Sequence, residues 1–125
     1  MDTLALVKAW HEQFRVPVED TPTLPANRAG MRLDILEEEV RELRAAVEAG
    51  DMVEVLDALC DIQYVLDGNF LEFGLHAHKA KAFAEVHASN MSKLGEDGQP
   101  VLREDGKVLK GPNFVRPNLM QFLEG

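Results

Sequence analysis

Cysteine is almost absent from this chain: Cys60 stands alone among 125 residues. No internal disulfide can form, and no Cys/His cluster has the spacing that holds zinc. Cys60 is therefore expected in the core. Aromatic residues are scarce, with one tryptophan, one tyrosine and six phenylalanines. No segment has 18 uninterrupted apolar residues, and the N-terminus lacks the basic, apolar and small-residue pattern of a signal peptide. The expectation is a soluble, cytoplasmic protein with no membrane partner. Positive charge is in deficit, 13 Lys and Arg against 22 Asp and Glu, for a net charge of −9 and a pI near 4.8. That balance argues against non-specific binding to nucleic acid or to an anionic membrane surface. At this length, and with 46% apolar residues, residues 1–125 are expected to form a single domain that gains from association.

What is present is concentrated acid. Ten carboxylates and only two arginines, Arg41 and Arg44, lie between Asp34 and Asp61. On a helix, Leu33, Leu36, Val40, Leu43 and Val47 form an apolar stripe, and Asp34, Glu37, Arg41, Arg44 and Glu48 form a charged face away from it. Glu37 is thus read as solvated surface. Glu38, Glu39 and Glu42 fall in a third arc, shared with Met31, Ile35 and Ala46. Carboxylates directed toward a partly apolar interior repel one another and lose hydration, so a positive species must compensate them.

A second acidic stripe follows Gly50, where Glu54, Asp57 and Asp61 recur on one helical face while Asp67 lies elsewhere. Asp51-x-x-Glu54 reads as a capping box, which assigns Glu54 to the cap and leaves Asp57 and Asp61 for chemistry. Two helices joined at Ala49-Gly50-Asp51 must run antiparallel, so the two stripes face each other as a cage for a cation.

Along the chain, Asp2 or Thr3 caps a first helix to about Phe14, and the proline-rich segment Val16 to Pro25 reads as a rigid strap. Helix two is expected from about Asn27 to Ala49, helix three from Met52 to Phe73 and helix four from His76 to Leu94, with Gly50, Gly74 and Gly95 as stops. Helix three is apolar on most sides, which predicts a central helix whose surplus surface meets another subunit in a homo-oligomer. In helix four, Phe83, Val86 and Leu94 form an inner stripe that includes Asn90, a buried amide in need of partners. A short hairpin pairs Val101 to Arg103 with Lys107 to Leu109 about Asp105-Gly106, and a last short helix covers Asn118 to Leu123. The segment from His76 to Arg116 has seven Lys and Arg against five acids, so Lys93, Lys107 and Lys110 are candidates to gather at an anion. Trp10, Tyr64 and Phe114 are candidates to stack on a base, with core duty the expectation for Trp10 and Tyr64.

An all-carboxylate cage selects a hard cation, Mg²⁺ or alternatively Mn²⁺. Magnesium usually takes substrate phosphates as further ligands. Facing acids plus distal lysines therefore point to hydrolysis of a phosphoanhydride.

These residues resemble a known family. Leu36-Glu37-Glu38-Glu39-Val40-Arg41-Glu42-Leu43 looks like the E-E-x-x-E-L signature of the all-α nucleoside triphosphate pyrophosphohydrolases, the MazG-like superfamily that includes dimeric dUTPases and phosphoribosyl-ATP pyrophosphohydrolase. Asp57 to Val65 is similar to its second acidic helix. Phe83 to Lys93, with Asn90, and Asp105 to Lys110 look like segments of a phosphoribosyl-ATP pyrophosphohydrolase-like branch. The resemblance implies a four-helix MazG-like bundle, all-α, with a short C-terminal β-hairpin extension. It implies Glu39, Glu42 and Asp61 as metal ligands, and Glu38 as a further ligand or as the group that orients or deprotonates the attacking water, with Glu38 and Glu39 as the catalytic pair. The second motif of the family is E-x-x-D, and Ala58 stands where its acid belongs. Asp57 replaces that acid, or Glu54-x-x-Asp57 is the motif in a shifted register. The implied reaction releases a nucleoside monophosphate and pyrophosphate, with Asn90, Lys93, Lys107 and Lys110 on the substrate. The expected substrate is a nucleoside triphosphate in a house-cleaning role, such as dUTP. The alternatives are the phosphoribosyl-ATP enzyme of histidine biosynthesis and a non-enzymatic helical-bundle interaction protein.

Overall fold

A computed structural model describes residues 1–124. The chain divides into two compact units, Met1–Ala77 and the segment from His78 onward. The first holds α1 (Thr3–Phe14), α2 (Ala29–Ala49) and α3 (Met52–Glu72). The second holds α4 (Lys79–Met91) and the strands β1 (Val101–Leu102) and β2 (Val108–Leu109), with a 3-10 turn at Met120–Phe122; another, at His76–His78, spans the boundary. The architecture is all-α with a small hairpin, as expected.

Local chemistry sets the helix limits. The Asp2 side chain accepts from the Ala5 N–H to cap α1. Helix α2 begins two residues later than expected because the Pro25 carbonyl accepts from both Arg28 N–H and Ala29 N–H, which makes a turn of the segment before it. Gly50, at φ +67°, closes α2 in the left-handed conformation that glycine adopts without steric cost. Asp51 then caps α3 by accepting from the Glu54 N–H at 3.2 Å. The box is only half made, because the Asp51 N–H goes to the Ala46 carbonyl rather than to the Glu54 side chain.

Helix α3 is central to the first unit, packing against both α2 and α1. Val7, Ala46, Ala58 and Leu71 are its buried apolar residues, joined by a polar set: His11, Arg32, Asp67, Asn69 and Glu72. Asp67 accepts from Thr3 Oγ1 at 2.7 Å and from Gln63 Nε2 at 3.1 Å, tying α1 to α3. Arg28, just before α2, and Arg32, within it, both ion-pair with the fully buried Glu72 of α3. The strap lies on the end of α3, where the carbonyls of Leu71 and Phe73 accept from Glu19 and Thr23 N–H. Gly74 is required there, since a Cβ would collide with the Thr21 carbonyl.

Several packing expectations are corrected. Leu33, Val40 and Val47 of the α2 stripe are exposed, and the face that α2 turns inward carries Arg32, Ile35, Glu39 and Ala46. Cys60 is exposed rather than in the core, because it lies at the open lip between α1 and α3, beside Thr3, Leu6 and Tyr64.

In the second unit the buried position of α4 is Ser89, while Asn90 and Phe83 are exposed. The inner face is set by polar anchoring: Val115 N–H donates to Ser92 Oγ at 2.8 Å and Asn118 N–H to Glu85 Oε1 at 2.8 Å. These bonds draw the C-terminal segment to the side of α4 that carries Glu85, Ser89 and Ser92. The helix is also shorter than its apolar pattern suggested, ending at Met91. The hairpin is antiparallel, with Val101 opposite Leu109 and Leu102 opposite Val108. Its strands are two residues each, so Arg103 and Lys107 belong to the turn, where Gly106 adopts φ +88° and Arg103 clamps Asp105. The last helix is reduced to its 3-10 turn, with Leu119 and Leu123 exposed.

Candidate metal centre

The two acidic stripes face each other across the α2–α3 hairpin. Glu39 and Glu42, one turn apart on α2, and Asp61 on α3 each offer an oxygen, and the three oxygens lie within 4.8 Å of one another. Glu39 is half-buried, and one of its oxygens, Oε2, is buried without a hydrogen-bond partner. An unpartnered carboxylate oxygen in a cluster of acids is a lone pair facing no proton donor, and a cation satisfies it.

Electrostatics agree with the geometry. The Glu39 carboxyl is pushed above its ordinary range by lost hydration first, then by the charge and hydrogen bond of Glu42 and the charges of Asp61 and Glu38. Asp61 is pushed up in the same way, by lost hydration, then by the charge and hydrogen bond of Asp57 and the charge of Glu42. Each carboxylate raises the cost of ionising its neighbour, and a divalent cation removes that cost for all of them.

Of the residues expected at the site, Glu39, Glu42 and Asp61 form the cluster. Asp57 bears on it through Asp61 and Glu38 through Glu39. Ala58 is buried, its small side chain taking the place of an acid at the helix contact. Asn90, Lys93, Lys107 and Lys110 all fall in the second unit. There Asn90 is exposed, the Lys93 carbonyl accepts from Gly111 N–H at 2.8 Å, and Lys110 Nζ lies 4.9 Å over the Phe114 ring.

Sequence reasoning missed Arg28, Arg32, Glu72 and His11. A signal existed: Glu72 sits among Phe70, Leu71 and Phe73, and an acid in so apolar a run needs a cation. Arg32 lies one turn before Ile35 and two before Glu39, on the same inward arc.

The donor set fits a hard cation: oxygens only, from two helices, with neither sulfur nor imidazole among them. Four α-helices carrying such a cluster on an antiparallel pair define an all-α carboxylate-site protein. A family model described as phosphoribosyl-ATP pyrophosphohydrolase matches residues 7–90, which include most of α1, all of α2 and α3, and nearly all of α4. The chain belongs to this family, and so to the all-α nucleotide pyrophosphohydrolases. Among solved structures, a protein from Exiguobacterium sp. 255-15, provisionally named an NTP pyrophosphohydrolase, is similar at 27% identity. The match covers 94% of this chain and 89% of that one, with a TM-score of 0.49. No curated protein matches the chain.

Proposed function

We propose that this protein hydrolyses a nucleoside triphosphate between the α and β phosphates, releasing a nucleoside monophosphate and pyrophosphate. The observation that carries this reading is the convergence of Glu39, Glu42 and Asp61 within 4.8 Å on facing helices. These three would hold Mg²⁺ or Mn²⁺, with Asp57 supporting Asp61 in place of the acid missing at Ala58. When bound, the cation would neutralise charge and polarise the phosphate oxygens, which makes the α-phosphorus more electrophilic. Glu38, exposed beside the cluster, accepts the proton of the attacking water as the water oxygen bonds to the α-phosphorus. The bond from the α-phosphorus to its bridging oxygen breaks, and pyrophosphate leaves with the electron pair.

Asn90, Lys93, Lys107 and Lys110 are proposed as phosphate contacts, a reading supported by the opposite charge of their segment. The chain is further proposed to act as a homo-oligomer. Leu33, Val40 and Val47 on α2 and Met52, Val53, Leu56 and Leu59 on α3 are exposed, Val53 by 75%, and a second copy would cover them.

A second reading, hydrolysis of phosphoribosyl-ATP, is favoured by the name of the matching family. Against it stands the hairpin, which lies beyond the matched residues 7–90. Incubation with Mg²⁺ and a panel of nucleotides that includes phosphoribosyl-ATP, with products identified by mass, separates the two. Monophosphate and pyrophosphate from a simple triphosphate are expected. Turnover of phosphoribosyl-ATP alone would transfer the assignment to the second reading.

A further inference from the structure

Beside Asp61 the first unit opens into a cavity of about 400 Å³, within the size range of small-molecule sites. It is bounded by Trp10 and His11 of α1, Arg32 of α2, and Asp61 and Tyr64 of α3. Both aromatics were expected in the core, yet Trp10 is 39% and Tyr64 43% exposed. Their rings meet edge to face, 6.1 Å apart at 88°, and so form a right-angled corner. Phe14 stacks on Trp10 at 4.8 Å from outside the cavity, whereas His11, edge-on to Trp10 at 5.7 Å, and Tyr64 line the cavity with it and offer aromatic surface to a flat ligand.

Arg32 gives this corner its polarity. It is 8% exposed, and each of its nitrogens has a partner: Nε donates to Asn69 Oδ1 at 2.8 Å, Nη2 to the Val65 carbonyl at 3.2 Å, and Nη1 pairs with Glu72 at 3.1 Å. A guanidinium has five N–H groups, so one remains on each Nη. The side chain is held in place by three groups and still has donors to give. Gly68 makes room for it, because a Cβ there would collide with Arg32 Nη2 and approach His11 Nε2 to 3.1 Å. His11 does not compete for the donors' charge. Its Nδ1 lies 3.1 Å from the Pro17 carbonyl, which can only accept, so that nitrogen carries the proton, and burial keeps the ring neutral.

We propose that this cavity receives the nucleobase of the substrate, and that Arg32 selects bases with a ring carbonyl over adenine. The proposal rests on the nucleotide reading above and deepens it. Asp61 belongs both to the acid cluster and to the cavity wall, so a nucleotide with its phosphates at the cluster has its base beside Trp10 and Tyr64. Arginine offers donors and no acceptor. Aimed at a base's exocyclic position it rewards the oxygen of uracil, thymine, guanine or, through O2, cytosine, whereas at that position adenine presents an amino donor and can offer only its ring nitrogens. Gly68, Glu72 and Asn69 are positioning residues for Arg32.

Trp10 is the only tryptophan, so intrinsic fluorescence reports on the corner directly. Titrating the full-length protein with UMP should change Trp10 emission saturably. AMP should bind about ten-fold more weakly or worse, and pyrophosphate, which has no base, should leave the emission unchanged. Tyr64→Ala should raise KM for UTP about ten-fold with kcat nearly constant, the loss of one stacking contact. Arg32→Lys, which keeps the charge opposite Glu72, should flatten the preference for UMP over AMP. If UTP is hydrolysed while UMP leaves Trp10 silent and Tyr64→Ala leaves KM unchanged, the cavity is not the base site and the proposal falls although the hydrolytic reading stands. An equal response to UMP and pyrophosphate also overturns it. If UMP quenches saturably but no triphosphate is hydrolysed, the base site stands and the hydrolytic reading falls.

Discussion

Asp57 hydrogen-bonds the carboxyl of Asp61 one turn along α3, and that contact helps to raise the Asp61 carboxyl above its ordinary range. Two carboxylates this close repel each other, and a cation held at Asp61 would relieve that repulsion. Asp57→Asn should therefore weaken Mg²⁺ binding by about 10-fold, as loss of a supporting partner does. Asp61→Asn should nearly abolish binding. Isothermal titration with Mg²⁺ ranks the two, and equal losses would make Asp57 a ligand in its own right.

Glu39→Gln, Glu42→Gln and Asp61→Asn should each reduce kcat/KM by about 100-fold or more, roughly 2.7 kcal/mol of transition-state stabilisation. The same variants should melt at or above the wild-type temperature without metal, because each removes a repelling charge. Glu37→Gln, on the solvated face, should be silent. Thermal melts in EDTA beside a product assay check both halves.

The acid cluster also fixes a pH dependence. Glu39 and Asp61 titrate above their ordinary values of 4.5 and 3.8 in the folded chain, so the folded state binds more protons than the unfolded state in that window. Stability contributed by the protonated forms is present below those values and is lost as pH rises through the raised ones. Apo-protein should lose stability from about pH 4 upward on this account, and Mg²⁺ should restore it. Chemical denaturation at several pH values, with and without Mg²⁺, tests the sign.

His11 acts in the opposite direction. Burial, helped by Arg32 and Arg28, lowers its pKa below 6.5, so the neutral ring is stabilising above pH 6.5 and the benefit is lost as pH falls through the lowered value. His11→Gln should remove this acid-side loss and leave the Glu39 and Asp61 dependence in place. The same denaturation series reads it.

Lys107 and Lys110 lie outside the two-residue strand β2, which removes any requirement that they point to opposite faces. Lys110 is engaged with Phe114, whereas the Lys107 backbone is fixed by Asp105 at 3.1 Å. Lys107→Ala and Lys110→Ala should differ in severity, with at least one losing about ten-fold in kcat/KM and neither changing metal affinity in the absence of nucleotide. Wild-type kinetics in the double variant would reduce the hairpin to a structural element.

Much of this was legible in the chain because helix caps and acid phase are local properties. Asp2 and Asp51 mark helix starts through their capping side chains, Gly50 and Gly74 mark helix ends through their positive φ, and the 3.6-residue period alone placed Glu39 and Glu42 on one arc with Ile35. Burial was less legible. Periodicity identifies an apolar stripe without saying whether this chain covers it, so Val40 and Val47 read as core and are exposed. The Arg32–Glu72 pair joins residues forty positions apart, and such a pairing depends on which helix meets which. On α4 the apolar pattern named Phe83, while the bonds of Ser92 and Glu85 turned another face inward.

The ties at the two ends of the α2–α3 hairpin have a mechanical consequence for its middle. At one end Gly50 and Asp51 close the turn, and at the other Arg28 and Arg32 are fastened to Glu72. Between these anchors lie Glu39, Glu42 and Asp61, and the helices bearing them are not free to part. A beam clamped at both ends cannot yield to a load at its centre by swinging open. The acid cluster is thus assembled during folding, and a cation that binds there would meet carboxylates already at their stations, with little further chain ordering to be done.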